Sequence, residues 1–254
     1  MIAVVHAIDD VRHRLAEFRR RSLSIGFVPT MGALHAGHLS LIERAHNEND
    51  RVVVSIFVNP TQYDDPEDLK RYPRNLIADT DLAESAGADL IINPRAEDIY
   101  HDDYRFRVTE TGFSRQLEGA HREGHFDGVL TVVLKLLNLV QADHAYFGEK
   151  DWQQLELVRD MAAAFFHPTE IVACPIIREP DGLAMSSRNV HLTADERRVA
   201  PEFHRILQTG LSTEDMNRQL VDAGFVVDYV SKHGDRILGA VRLGKVRLID
   251  NVSI

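Results

Sequence analysis

The segment Arg51-Val52-Val53-Val54-Ser55-Ile56-Phe57-Val58-Asn59-Pro60 constrains this chain more than any other stretch. A strand with one face in water alternates apolar and polar residues, whereas this run is apolar and β-branched almost throughout, so both of its faces must be covered. Cover on both faces implies a parallel sheet between helical layers, reached through crossover helices. The flanking sequence supplies the crossovers. Ahead of the run, a strand at about 24–29 enters Pro29-Thr30-Met31-Gly32-Ala33-Leu34-His35-Ala36-Gly37-His38, and a helix from about 37 to 48 follows with Leu39, Leu41, Ile42 and Ala45. Behind it comes a charged connector at 64–75, a helix with Ile77, Leu82 and Ala86, and the strand Ala88-Asp89-Leu90-Ile91-Ile92-Asn93-Pro94. The fold class is therefore α/β: a Rossmann-like parallel sheet with helices on both faces.

The rest of the chain extends this pattern. A surface helix spans 9–20 with Val11, Leu15 and Phe18 on one face and Asp9 as its cap. Residues 105–109 alternate like a strand, and 118–128 reads as a glycine-rich loop ahead of an apolar, buried helix at 129–140. In that loop His121 and His125 lie four apart around Glu123, but Gly119, Gly124 and Gly128 disfavour the helix that a zinc pair needs. A fourth strand at 144–147 leads through Gly148 into a helix with Leu155, Val158, Met161 and Phe165, and a fifth strand lies near 169–176. A helix beginning at Asp195 and short alternating strands at 225–230, 236–243 and 245–249 form a small α+β domain. Two domains are expected, 1–174 and 175–254.

Of 254 residues, 27% are charged, with a formal net charge of −10. A surplus of acid argues against nucleic acid as a partner, because affinity for a phosphate backbone rests on clustered Lys and Arg. The single cysteine, Cys174, sits in an apolar run and has no partner for an intrachain disulfide. No signal peptide and no membrane-spanning apolar run are evident, so a cytosolic protein away from membranes is expected.

The chemistry concentrates where strands end. Gly32 and Gly37 let the main chain approach an anion, the following helix contributes unsatisfied amides and the positive end of its dipole, and His35 and His38 add donors at the same turn. Two metal ligands or two solvent-facing histidines are the alternatives. Asn59 and Gln62 end the long apolar strand, where open parallel sheets bind ligands, although Asn59-Pro60 also stops a strand without further purpose. Asp79 is either a helix-surface residue or an outer ligand for a phosphate-bound Mg²⁺. Lys150 can reach a phosphate, Asp151 can cap the helix or hold a ribose or metal, and Gln154 lies one turn on. Ser186, Ser187 and Arg188 form a donor cluster suited to phosphate oxygens.

Written out, Pro-Thr-Met-Gly-Ala-Leu-His-Ala-Gly-His resembles the signature loop of the nucleotidyltransferases that share their core with class I aminoacyl-tRNA synthetases. Within that superfamily the chain resembles the pantothenate synthetase (pantoate–β-alanine ligase) family. The likeness continues through residues 54–62, Tyr72-Pro73-Arg74, 118–126, 147–151, Gln153-Gln154, 181–189 and Arg247-Leu248-Ile249-Asp250-Asn251. The resemblance implies a smaller C-terminal lid domain, a homodimer and Mg²⁺ with ATP as co-substrate. It implies that pantoate attacks the α-phosphate with release of pyrophosphate, and that β-alanine then attacks the pantoyl adenylate to give pantothenate and AMP. It assigns ATP to Met31, Gly32, Ala33, Leu34, His35, Ala36, Gly37 and His38, to Gly148, Glu149, Lys150 and Asp151, and to Ile177, Met185, Ser186, Ser187 and Arg188. His38, His35, Lys150 and Arg188 would carry the catalysis, with His38 as proton donor. Gln62 would contact pantoate and β-alanine and Gln154 pantoate, with Asn59 in the same substrate group. Residues 205–235 look compressed against the family pattern, and Tyr63 stands where Phe is expected.

Three other readings compete. Another adenylyltransferase with the same loop would act on a phosphorylated substrate and would want extra Lys or Arg for its second phosphate. A nucleotide sensor without turnover would have lost a donor, and a tRNA synthetase would carry an anticodon domain.

Overall fold

The computed structural model describes residues 2–254. The chain forms two compact units: one runs to Gly148 and resumes over Gln153–Cys174, and the other comprises Glu149–Trp152 and Pro175–Ile254.

In chain order the first part contains β1 (Ala3–Val5), α1 (Ile8–Arg20), β2 (Ile25–Thr30), α2 (Ala36–Glu48), β3 (Arg51–Ile56), α3 (Pro66–Arg71), α4 (Leu76–Ser85), β4 (Leu90–Ile92), α5 (Ala96–Ile99), α6 (Glu118–His121), α7 (His125–Val140), β5 (His144–Gly148), α8 (Trp152–Ala164) and β6 (Glu170–Cys174). The strands form one six-stranded sheet in the order β1-β4-β3-β2-β5-β6, with every neighbouring pair parallel. The apolar run of β3 explains its own cover. Val53 packs into a cluster with Val11 and Leu15 of α1, residues of α7, and Leu155 and Met161 of α8. Its neighbours Val52 and Val54 point the other way, into a cluster with Leu41 and Ile42 of α2 and Ala83 of α4. From β2 the chain moves one way to β3 and β4 and returns on the other side to β5, so strand order reverses between β2 and β5. In open α/β sheets the ligand crevice opens at the carboxyl ends of such a pair.

Local pattern and structure part company at five places. The edge strand β1 is absent from the periodicity reading because only Ala3–Val5 pairs, against β4. The cap of α1 is Ala7 rather than Asp9, which sits in the first turn and pairs with Arg12. The charged connector folds into the short helix α3, capped by Asp65. Residues 105–109 form no strand, and the Val108 amide donates to the Thr131 hydroxyl of α7 instead of joining a sheet. The glycine-rich stretch is largely helical, because Gly128 serves a close approach rather than breaking α7: a Cβ there would sit 2.4 Å from the Thr61 carbonyl oxygen.

The second unit contains α9 (Ala194–Val199), α10 (Pro201–Leu207) and α11 (Thr213–Asp222), then an antiparallel sheet of β7 (Val226–His233), β8 (Arg236–Leu243) and β9 (Val246–Ser253). Its apolar cluster joins Phe203, Leu207, Met216, Leu220 and Phe225 to Val241 and Leu248 of the sheet. One charged group is buried there. Asp250 takes two hydrogen bonds from Arg178, at 2.7 and 2.9 Å, and one from His204 at 3.1 Å. Burial pushes this carboxyl up, but the hydrogen bonds from His204 and Arg178 and their charges outweigh it and hold it below its ordinary value of 3.8.

A carboxyl whose folded value lies below its unfolded one contributes its full stability above the unfolded value and loses it as pH falls through the folded one. Asp250→Asn should therefore cost about 3 kcal/mol near neutrality, the low end for a broken buried pair, because Arg178 is 21% exposed. Denaturant titrations at a series of pH values should show the variant losing less stability than the wild type as pH falls below 3.8.

Candidate active site

The turn after β2 is built before any ligand arrives. Gly32 has φ +82° and a Cβ there would lie 2.8 Å from an Asp79 carboxylate oxygen, so only glycine lets that carboxylate close on the loop. Ala33 follows, also left-handed at φ 51°. Positive φ at two consecutive residues turns the loop so that successive amides face one concavity. Asp79 fills it: one oxygen accepts from the Ala33 amide at 3.0 Å and the other from the Leu34 amide at 2.7 Å. The Gly32 amide goes to the Thr30 hydroxyl at 3.1 Å, and the Tyr72 hydroxyl donates to the Gly32 carbonyl at 3.3 Å. This corrects two expectations. Asp79 is no surface residue, being 3% exposed, and both its oxygens serve the loop. The anion that these loop amides wrap is the protein's own carboxylate.

Helix α2 begins at Ala36 with His35 as its cap. The His35 Nδ1 accepts from the Gly37 amide at 3.1 Å, and the His38 amide donates to the His35 carbonyl at 2.8 Å, so these two amides of the first turn are already used. Because Nδ1 is an acceptor, the His35 proton sits on Nε2. The His35 and His38 rings lie 4.1 Å apart, centroid to centroid. What the turn presents is thus a pair of imidazoles on a loop whose main chain is largely saturated.

Shortly after β3, residues Pro60–Gln62 wind into a 3-10 turn with Asn59 as cap. Asn59 is 1% exposed. Its oxygen accepts from the Tyr100 hydroxyl at 2.6 Å and the Thr61 hydroxyl at 2.9 Å, and its amide donates to the Gln62 side-chain oxygen at 3.0 Å and the Gly128 carbonyl at 3.2 Å. The side chain has nothing left for a ligand, so Asn59, grouped above with the substrate contacts, orients Gln62 instead. Burial pushes the Tyr100 hydroxyl up to about 12, so it stays a donor. Gln62 has its oxygen held by Asn59 and its amide against the Met31 sulfur at 3.2 Å. Its carbonyl accepts from His125 Nδ1 at 2.8 Å, and His125 Nε2 meets Arg122 at 3.1 Å. Spacing alone does not join His125 or Arg122 to Gln62, since they lie about 60 positions on.

At the end of β5, Gly148 has no conformational need to be glycine: its φ is not in the left-handed region, and a Cβ would meet nothing within 4 Å. Of the glutamine pair, Gln153 is buried and ties the Glu118 amide at 3.0 Å to the Phe113 and Gln116 carbonyls at 2.8 and 2.9 Å, which leaves Gln154 as the half-buried member. In the second unit, Lys150 is 20% exposed and 3.7 Å from the Asp151 carboxylate. There too the Met185 amide donates to the Ile177 carbonyl at 3.0 Å, joining two residues expected at one nucleotide across a hairpin. Ser186, Ser187 and Arg188 follow directly, half-buried, with the Arg188 amide on the Ser186 hydroxyl at 3.2 Å. Among the described residues, no three His, Cys, Asp or Glu side chains converge as a metal set.

A family model described as pantoate-beta-alanine ligase matches residues 3–253. The chain belongs to this family. Pantothenate synthetase from Bdellovibrio bacteriovorus is 52% identical over 93% of this chain and 94% of its own length, and that from Coxiella burnetii is 49% identical over 99% and 97%. Among solved structures, the pantoate-beta-alanine ligase of Francisella tularensis, complexed with beta-gamma ATP and beta-alanine, superposes with a TM-score of 0.94 at 41% identity over 100% of this chain and 98% of that one. Pantothenate synthetase of Thermus thermophilus gives 0.90 at 41% identity, covering 100% and 99%. These ligase relatives match at nearly full length on both sides.

If Asp79 is the clasp of the family's signature loop, Asp79→Asn should destabilise the chain by about 1–3 kcal/mol, the penalty for one buried donor left unmet. Thermal unfolding checks the cost. Amide hydrogen exchange should be fastest to rise at Ala33 and Leu34, and unchanged protection at those two amides would remove the clasp.

Proposed function

We propose that this chain is a pantoate–β-alanine ligase that forms pantothenate through a pantoyl adenylate. The observation that carries the reading is the saturated loop after β2 with its paired His35 and His38 rings 4.1 Å apart, in a chain whose Francisella relative was solved with beta-gamma ATP and beta-alanine.

In the first step a pantoate carboxylate oxygen bonds to the α-phosphorus of ATP, the bond from that phosphorus to the bridging oxygen breaks, and pyrophosphate leaves. His38 acts as the proton donor and His35, protonated at Nε2, as a second donor to the oxygens where negative charge gathers. Donors held before the reaction lose nothing to reorganisation as that charge builds. Lys150 and Arg188 take the phosphates, with Ser186 and Ser187 beside them, and Ile177, Met185 and Gly148 border the nucleotide. In the second step the amine of β-alanine attacks the acyl carbon, AMP leaves and the amide forms. Gln62 holds pantoate and β-alanine and Gln154 holds pantoate, so the protein contributes mainly placement, worth about 7–11 kcal/mol in well-oriented cases.

Asp79, with both oxygens on loop amides, does not fit a protein-held divalent site, so magnesium travels with the triphosphate in this reading. The second unit is the lid, the chain works as a homodimer, and its place is the cytosol. Among the described residues no helix is long and apolar enough to cross a membrane.

The deciding experiment is pyrophosphate–ATP isotope exchange with Mg²⁺, with and without pantoate and before any amine. Exchange that requires pantoate supports the adenylate. Exchange that ignores pantoate and responds to a phosphorylated acceptor points to another adenylyltransferase, and ATP binding without exchange to a sensor. His38→Ala should keep the melting temperature and lower exchange by about 10²–10³-fold, the usual loss for one preorganised donor.

Gly148→Ala separates stability from binding. The strand conformation at Gly148 suits alanine and leaves space for the methyl group, so folding should improve by about 0.4–1 kcal/mol. The KM for ATP should rise because the nucleotide claims that space; an unchanged KM would take Gly148 out of the ATP site.

A further inference from the structure

The turn Glu149–Asp151 leaves the last residue of β5 and carries Lys150, yet it is part of the second unit. Two side chains from β8 and β9 account for this. Asn251 is 2% exposed, and its amide nitrogen donates to the Glu149 carbonyl at 2.8 Å and the Lys150 carbonyl at 3.2 Å. Its oxygen accepts from Arg236 at 2.6 Å, and the same guanidinium holds the Glu149 carboxylate at 3.1 Å. Both residues lie on one face of the sheet: Asn251 pairs with Leu238, and Arg236 pairs with Ser253 two positions on. Asp250, the next residue back, is buried against Arg178 and His204, so the strand end carrying Asn251 is pinned by its neighbour.

We propose that Asn251 and Arg236 are positioning residues for Lys150. The inference rests on the assignment of Lys150 to the ATP phosphates, and it gives a task to the run Arg247-Leu248-Ile249-Asp250-Asn251, which the reaction as described leaves unused. The residue type fits the task narrowly. Two N–H groups meet the two turn carbonyls and the oxygen meets the Arg236 guanidinium, so both amide protons of Asn251 are spent on the turn. An Asp in its place would set a carboxylate against those carbonyls, and an apolar residue would leave both carbonyls unmet. With the carbonyls of residues 149 and 150 held, the backbone on the C-terminal side of Lys150 and that of the residue before it are fixed, and the stem of the lysine starts from a set direction.

A double-mutant cycle distinguishes positioning from plain stabilisation. The full chain is prepared as wild type, Asn251→Ala, Lys150→Ala and the double variant, and kcat and KM are measured for pantoate-dependent pyrophosphate–ATP exchange, with thermal unfolding of each. Asn251→Ala should lower kcat by about 10²-fold, the scale of an ångström-sized misplacement, with the KM for pantoate unchanged. In the Lys150→Ala background the same substitution should change kcat by no more than about twofold, the ordinary scatter of additivity. Equal losses in both backgrounds, or wild-type kcat in Asn251→Ala, overturn the positioning role while leaving the ligase reading in place. Full exchange in Lys150→Ala overturns the phosphate assignment and this inference with it, and no exchange in the wild type overturns the ligase reading itself. Should Asn251→Ala fail to fold, Asn251→Asp replaces it in the same cycle with the same expected outcomes, since a carboxylate cannot donate to the two carbonyls.

Discussion

The hydrogen bonds from the Ala33 and Leu34 amides to the two oxygens of Asp79 are the constraint on which the rest of the site depends. A buried carboxylate is tolerable only with charge-assisted donors, and left-handed backbone at Gly32 and Ala33 is tolerable only if something holds it. Each solves the other's problem. The loop is then rigid before substrate arrives, and α2 can start at a set place with His35 as its cap.

The same economy governs the end of β3. Asn59 spends all of its side chain on Tyr100, Thr61, Gln62 and the Gly128 carbonyl, so its amide faces inward. Its effect is to settle which way the Gln62 amide points. A glutamine in water would rotate freely; here its oxygen is tied and its backbone carbonyl is held by His125. Preorganisation of this kind suits catalysis by placement, which fails when the placing groups wander.

The second unit repeats the device with an amide in place of a carboxylate. Asn251 binds the main chain of a turn about a hundred residues earlier, and the buried Asp250 beside it accepts from Arg178 and His204. Polar side chains clasping turns, beside apolar packing, fix the local backbone in both units.

How much of this is legible before folding follows from the range of each interaction. Periodicity and turn chemistry are local, so the sequence by itself determines that β3 is covered on both faces, that a strand, a glycine turn and a helix surround His35 and His38, and that the chain ends in short alternating strands. The run of motifs likewise determines the family. Local pattern fails where a tertiary partner outcompetes it: Val108 gives its amide to Thr131, Gly128 stays helical so that α7 can touch Thr61, and β1 exists only because β4 offers an edge. The role of Asp79 was beyond reach for the same reason. Its partners lie 45 and 46 residues away, and no spacing rule connects an Asp in the first turn of a helix to two distant amides. Sequence determines which donors and acceptors exist and what local structure surrounds them. Only the folded chain decides which are spent on one another and which remain for a ligand, because buried polar groups must be paired and the pairing is chosen by proximity in space.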